Sequence, residues 1–126
     1  MTKLATWVCR VLGVLFVVTG LATFAFGEPA NRYHNLLHFV TGLPAVAVGF
    51  VGSRAGARVF CLAFGASYLS FGAIGFAAGD PEAGYLWHLH VMHLAAPEHI
   101  FHLVLGGVVL LSGILTRSDG TARGTI

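Results

Sequence analysis

Four apolar stretches follow one another along this chain, and each is long enough to cross a lipid bilayer. A transmembrane helix needs about 20 predominantly apolar residues to cross a hydrocarbon core of about 30 Å. Hydrophobic residues make up 56 % of the chain and charged residues 10 %, which fits a membrane protein. We predict one all-α domain over residues 1–126, a four-transmembrane-helix bundle with spans at about residues 4–26, 33–52, 57–78 and 98–116.

Charge alternates between the segments that join these spans. All but one of the seven Lys and Arg residues lie in the N-terminal end, the second connection or the C-terminal tail. They are Lys3, Arg10, Arg54, Arg58, Arg117 and Arg123. Short basic segments stay in the cytoplasm, so we predict a multi-pass protein of the plasma (inner) membrane with both termini cytoplasmic. Because the basic residues form no stripe, the net charge of +2 predicts no nucleic-acid partner.

All seven histidines fall in or beside the first and third connections, on the predicted outer side. They are His34, His38, His88, His90, His93, His99 and His102. His34 and His38 are four residues apart and share a helical face, as His99 and His102 do on the last span. Counted from the basic ends of their spans, His38 and His102 lie at the same depth. We therefore expect these two side chains to face each other across the bundle.

One interpretation of the histidines is a transition-metal site for copper or zinc, because imidazole is a common ligand of both ions. Such a site would lie near the outer leaflet. Met92 would lie close to it, and Asn35 would orient an imidazole by hydrogen bonding. The candidate ligands are His34, His38, His88, His90, His93, Glu98, His99 and His102.

Two other interpretations stay open at the level of the sequence. A bis-histidine site for haem b would use His38 and His102 as axial ligands, and Gly42 and Gly106 would leave room for the porphyrin. Alternatively, the histidines are hydrogen-bonded core groups of a purely structural subunit. A spectrum and an elemental analysis of the purified protein distinguish the three cases.

Catalytic patterns are missing from the sequence. It contains no Gly-rich phosphate loop, no Ser/His/Asp set and no paired catalytic carboxylates, and no charged residue lies in the middle of a span. We therefore predict a non-enzymatic protein without catalytic residues. Besides the lipid bilayer, its expected partners are a larger membrane complex, in which it serves as an accessory subunit, or further copies of itself.

Glycines recur at intervals of seven residues within each span. This spacing places them along one seam of a left-handed bundle, where small residues let helices approach closely in lipid. Val109, which lies between two of them on the last span, is expected to face lipid. The glycines predicted to pack helices together are Gly20, Gly42, Gly49, Gly65, Gly72, Gly106 and Gly113.

The two halves of the chain resemble each other. Residues 35–42 match residues 99–106, and spans 1 and 3 each place a phenylalanine, Phe16 and Phe64, six residues after an arginine. This indicates a duplicated helical hairpin, although apolar segments also resemble one another by chance. Residues 85–96 of the third connection break the symmetry, and we predict that they form a short interfacial helix between spans 3 and 4.

Three motifs carry a resemblance to a known family. They are Asn35-x-x-His38-x-x-x-Gly42, its second copy at residues 99–106, and Phe64-Gly65-x-x-Tyr68-Leu69 before Gly72. Together they resemble an uncharacterised family of small bacterial four-helix integral membrane proteins, catalogued as a domain of unknown function. The likeness covers about residues 8–114. It implies the fold and the topology but no activity, and His88, His90 and His93 depart from the family pattern.

The predicted orientation can be tested by thiol labelling in intact cells. A cysteine introduced at Ala83 should react with membrane-impermeant reagents, because the third connection is predicted to lie outside. The native Cys9 and Cys61, expected to be reduced thiols near the cytoplasmic ends of spans 1 and 3, should not react with those reagents. Labelling of Cys61 from outside would contradict the orientation.

Overall fold

The computed structural model describes residues 3–28 and 32–117, which form four long helices and one small hairpin. A 3₁₀ turn at Pro81–Ala83 follows the third helix. The helices are α1 (Leu4–Phe26), α2 (Arg32–Phe50), α3 (Arg54–Ala78) and α4 (Ala96–Leu115), and the strands are β1 (Trp87–Leu89) and β2 (Met92–Leu94).

Three helices are long and apolar enough to cross a membrane: α1, α3 and α4, with mean hydropathies of 2.1, 1.7 and 1.8. The second helix is not among them within the described residues. Its first two turns contain Arg32, His34, Asn35 and His38, which lower its hydropathy. The four predicted helices are therefore confirmed, whereas only three meet the criterion for a span.

Capping groups explain why two helices begin earlier than predicted. Ser53 precedes α3, and its hydroxyl accepts a hydrogen bond from the backbone N–H of Gly56 at 3.0 Å. At the start of α4, the Glu98 carboxylate accepts a hydrogen bond from the backbone N–H of Ala95 at 2.9 Å. Each side chain satisfies a backbone donor that a helix N-terminus leaves unpaired.

The helices pack as two pairs, α1 with α2 and α3 with α4. Within each pair, glycines bring the backbones too close for a side chain between them. A Cβ atom added to Gly42 would lie 2.8 Å from the Cβ of Phe16, and one added to Gly106 would lie 2.5 Å from the backbone nitrogen of Leu69. The predicted packing glycines all contact the partner helix of their own pair: Gly20, Gly42, Gly49, Gly65, Gly72, Gly106 and Gly113.

Equivalent contacts recur in the two pairs. Gly42 meets Phe16 and Val17, whereas Gly106 meets Tyr68 and Leu69. These contacts match Phe16 with Tyr68, one helical turn beyond the Phe64 that the sequence comparison matched with it. The contacts therefore align α1 with a part of α3 that lies four residues further along the chain than the sequence comparison indicated.

A cysteine pair lies where α1 crosses α3. The Cys9 and Cys61 sulfurs are 3.6 Å apart and unbonded, and both residues are fully buried. Each thiol points to a backbone carbonyl of the opposite helix, Cys9 to Ala57 and Cys61 to Ala5. Val109 belongs to the same core and is 1 % exposed, so the expectation that it faces lipid was wrong.

The third connection forms a β-hairpin, so the predicted interfacial helix was wrong. Strands β1 and β2 pair antiparallel, with His88 opposite His93. Leu94 is buried and its neighbour His93 is exposed, an alternation that is typical of strands. Asp80 caps only the 3₁₀ turn, because Gly84 and Tyr85 adopt left-handed φ angles of +67° and +59° that end it.

The glycine contacts predict opposite effects of one substitution at two adjacent positions. Gly106→Ala should destabilise the protein by about 1–3 kcal/mol, because the new methyl group collides with the backbone of α3. Gly107→Ala should be neutral or stabilise by up to about 1 kcal/mol, because no described residue lies within 4 Å of its Cβ position. Denaturant unfolding in detergent measures both, and equal effects would exclude this seam.

Candidate functional site

A cavity of about 180 Å³ lies at the histidine end of the bundle, between α2, α3, α4 and β2. Three imidazoles line it, from His34, His38 and His102. Its remaining lining combines hydroxyl groups, one thioether and apolar side chains: Leu37, Thr41, Ser67, Tyr68, Phe71, Met92 and Leu94. The accessible surface of the cavity is almost entirely apolar although imidazole and hydroxyl groups border it, and Met92 and Leu94 of β2 lie along its edge.

His34 and His38 form the closest pair of imidazoles in the cavity. They lie one turn apart on α2, and their Nε2 atoms are 3.0 Å apart. As neutral rings, one Nε2–H donates a hydrogen bond to the other Nε2. A single ion bound tetrahedrally at about 2.0–2.1 Å would hold two imidazole nitrogens about 3.3 Å apart, so the same geometry is close to that of two ligands of one metal ion.

Aromatic side chains of three helices fix the position of His38. Its ring packs edge-on against Phe16 of α1, with 4.7 Å between centroids. The Tyr68 hydroxyl of α3 lies 3.5 Å from its Nδ1, the outer limit of a hydrogen bond. Phe101 of α4 adds an edge contact at 6.3 Å. His38 therefore cannot turn away from the cavity without disturbing several packed rings.

His102 approaches the pair from α4. It is 4 % exposed, and its ring centroid lies 6.1 Å from that of His34 and 5.0 Å from that of Tyr68. Its Nδ1 has no well-formed hydrogen-bond partner among the described residues. His102 thus faces His34 more directly than His38, the residue that the sequence placed opposite it.

Two further donor groups lie beside the three imidazoles. Glu98 is close enough to interact electrostatically with both His34 and His102, although one of its oxygens already accepts the hydrogen bond from Ala95. Met92 of β2 lines the cavity with its thioether. The carboxylate suits zinc and the thioether suits Cu(I), so either could complete a ligand set.

His99 lies outside this cavity. It is fully buried, and its Nε2–H donates a hydrogen bond to the Tyr85 carbonyl at 2.9 Å. Its ring rests on Gly75 of α3, where a Cβ atom would collide with the imidazole, and packs edge-on against Phe76 at 5.2 Å. This hydrogen bond therefore connects α4 to the segment that leads into the hairpin.

The hairpin histidines form a separate group. His88 and His93 are a cross-strand pair on the exposed face, with their Nδ1 atoms 2.6 Å apart. His90 lies exposed in the turn, with a φ of +55°. The residues predicted as one ligand set are thus divided into the cavity group, the buried His99 and the three exposed hairpin histidines.

Asn35, predicted to orient an imidazole, lies on the other side of α2. Its backbone carbonyl packs against Gly20 of α1, and its side-chain amide nitrogen lies near Gly27, the residue that follows α1. Gly42 and Gly106 likewise face their partner helices, where a side chain would collide with Phe16 and Leu69. The space that a porphyrin would need at these glycines is therefore filled by packed helices.

Tyr68 is the site residue that sequence reasoning missed. Thr41 and Ser67, the other hydroxyl residues at the cavity, donate hydrogen bonds to the Leu37 and Ala63 carbonyls of their own helices. Tyr68 is too long for that bond and reaches His38 instead. The available signal was the single tyrosine of an apolar span, flanked by Ser67 and Leu69.

Chemically, the cavity can accept a small cation or a few water molecules. Within residues 3–28 and 32–117, no three His, Cys, Asp or Glu side chains already stand in a metal-binding arrangement. His34 and His38 form a ready pair, whereas His102 must move towards them to bind the same ion.

A family model described as "Domain of unknown function (DUF4383)" matches residues 25–115 of this chain, a segment that includes every histidine. Comparison with curated proteins and with solved structures gives no significant match.

The anchoring role of His99 can be tested by hydrogen exchange. His99→Ala should speed amide exchange in residues 85–95 by about 5- to 100-fold, because it leaves the Tyr85 carbonyl unpaired. Ile100→Ala is the matched control, since Ile100 is the next residue on α4 and is exposed. Unchanged exchange in His99→Ala would show that the hairpin is held by other contacts.

Proposed function

The chain belongs to the DUF4383 family, and we propose that it is a non-enzymatic membrane protein that binds a transition-metal ion in its histidine-lined cavity. The observation that carries the proposal is the set of three imidazoles at the cavity, two of them with nitrogens 3.0 Å apart. Copper and zinc are the ions whose ligand preferences suit imidazole with a carboxylate or a thioether.

The proposal includes a membrane topology with α2 as a fourth span. Its 19 residues pack along α1 through Gly42 and Gly49, and its first-turn polar residues lie at the histidine end. A helix packed in this way against the membrane-spanning α1 would cross the membrane beside it. The charge pattern then favours cytoplasmic termini and an outward-facing cavity in the plasma membrane.

A duplicated helical hairpin is the simplest account of the paired contacts. Cys9 and Cys61 donate to carbonyls of the opposite helix, and Gly42 and Gly106 meet equivalent residues of α1 and α3. In this arrangement a pseudo-twofold axis along the membrane normal relates the halves, and His38 and His102 occupy equivalent positions.

A small ion fits the cavity better than haem does. The volume of about 180 Å³ is below the ~300–1,000 Å³ of pockets that enclose drug-sized ligands. In addition, the haem hypothesis needs one histidine from each of two helices, whereas the imidazole nitrogens that lie closest together belong to His34 and His38 of one helix.

The competing function is that of an accessory subunit whose histidines only hydrogen-bond to one another. The His34–His38 bond and the ring contacts of His102 would serve such a core equally well. This reading predicts a stable protein that takes up no metal, so metal binding itself separates the two functions.

Titration calorimetry of the metal-stripped protein in detergent, with Zn²⁺ and separately with Cu(I) under reducing conditions, tests the proposal. We expect about one bound ion, and a loss of tenfold or more in affinity for each of His38→Ala and His102→Ala. The double variant should be barely weaker than either single one, because ligands of one site act together. Affinity should also fall as the pH falls, because protons compete for the imidazole nitrogens.

Two control variants locate the site. His90→Ala should leave the affinity unchanged, since His90 lies in the exposed hairpin turn, and His88→Ala should cost less than His38→Ala. If the parent binds neither ion while both cavity variants remain folded, the metal proposal fails and the accessory-subunit reading stands. A Soret band in the purified protein would instead support haem.

A further inference from the structure

Arg10 lies at the end of the bundle opposite the histidines and is held in one orientation. Its Nε–H donates a hydrogen bond to the Gly49 carbonyl of α2 at 2.7 Å. The guanidinium carbon also lies 5.0 Å from the centre of the Trp7 ring and 5.3 Å from that of Phe50. Cation–π contacts of this kind steady the planar group between the two rings.

Within residues 3–28 and 32–117, the terminal amino groups of Arg10 have no hydrogen-bond acceptor. Among the described residues, only the Gly49 carbonyl accepts a hydrogen bond from its side chain. The described acidic residues Glu28, Asp80, Glu82 and Glu98 all lie at the histidine end. A second copy of the chain in the same orientation therefore has no described carboxylate to place beside Arg10.

Two apolar grooves run along α1, and Arg10 lines one of them. One, of about 430 Å³, is lined by Trp7, Arg10, Val11, Val14, Leu15 and Phe50. A second, of about 290 Å³, shares Trp7, Val11 and Leu15 and extends to α4 at Leu105, Val108 and Val109. The side chains of α1 that divide the two grooves are about half exposed, as lipid-facing residues are.

We propose that this surface binds one anionic phospholipid, with its phosphate on Arg10 and its acyl chains in the two grooves. A guanidinium whose Nε is already bonded can still present its amino groups to a phosphate oxygen. Trp7 would lie at the level of the headgroups, as tryptophan does at membrane interfaces. Free phosphate would use the arginine but not the grooves, whereas a phospholipid matches both.

The inference rests on the membrane topology proposed above but not on metal binding. The basic residues Lys3, Arg54, Arg58 and Arg117 belong to the same end of the sequence pattern and add positive potential there. Basic surfaces beside transmembrane helices attract anionic headgroups, with a preference of about fivefold for each well-placed basic residue. Because the Arg10 side chain is held in one orientation, we expect the preference for anionic lipid to depend on Arg10 more than on the other basic residues.

Quenching of Trp7 fluorescence by brominated lipids measures binding at this surface. The chain has two tryptophans, so Trp87→Phe leaves Trp7 as the only reporter. Reconstituted in vesicles containing brominated phosphatidylglycerol or brominated phosphatidylcholine, Trp7 should show about a fivefold preference for the anionic lipid. Arg10→Gln should reduce the preference to about one, and Arg10→Lys should retain part of it.

Arg117→Gln is the matched control, because it removes the same charge at the same end without touching either groove. If it abolishes the preference as fully as Arg10→Gln does, the effect is general surface potential and the proposed site is overturned. Equal quenching of the parent by both lipids also overturns it, whatever the variants do. Absence of quenching by either lipid would instead contradict the membrane topology.

Discussion

Close backbone contact at glycines is the interaction on which the rest of this structure depends. In a bilayer, lipid tails are as apolar as leucine, so helices gain little by hiding apolar side chains from lipid. Association must come from dense packing, and Gly42 against α1 and Gly106 against α3 bring the backbones to distances that no side chain permits. This contact fixes the rotation of each helix and therefore the direction in which its histidines point.

The cavity is a consequence of that rotation. Because Gly42 faces α1, His38, one turn earlier on α2, packs against Phe16 and reaches Tyr68. Gly75 acts in the same way on α3, since its missing side chain gives His99 the space to reach the Tyr85 carbonyl. The hairpin is held over the cavity by that bond, so the packing glycines shape the site without lining it.

Hydropathy and spacing predicted the four helices, because an apolar run of the right length has few alternatives in a bilayer. They failed for residues 85–96, where a mixed stretch is decided by left-handed backbone angles at Tyr85 and His90 that no sequence period reveals. For the site, the four-residue spacing correctly put His34 beside His38. Spacing could not show that His99 turns towards the hairpin, since that depends on Gly75 of another helix.

The helix contacts also show which positions are alike in the two helix pairs and which differ. Positions that make the same contact in both helix pairs often carry the same residue, as Cys9 and Cys61 or Gly42 and Gly106 do. Equivalent positions also differ, in the middle of the bundle, as Phe16 and Tyr68 do, and at its ends. Gly49 meets the backbone of Arg10 whereas Gly113 meets that of Leu62, and Gly20 meets Asn35 whereas Gly72 meets His99. Arg10, which binds the Gly49 carbonyl, and His99, which binds the Tyr85 carbonyl, occupy two of these differing end positions, so each makes a polar contact that its counterpart Leu62 or Asn35 is not placed to make.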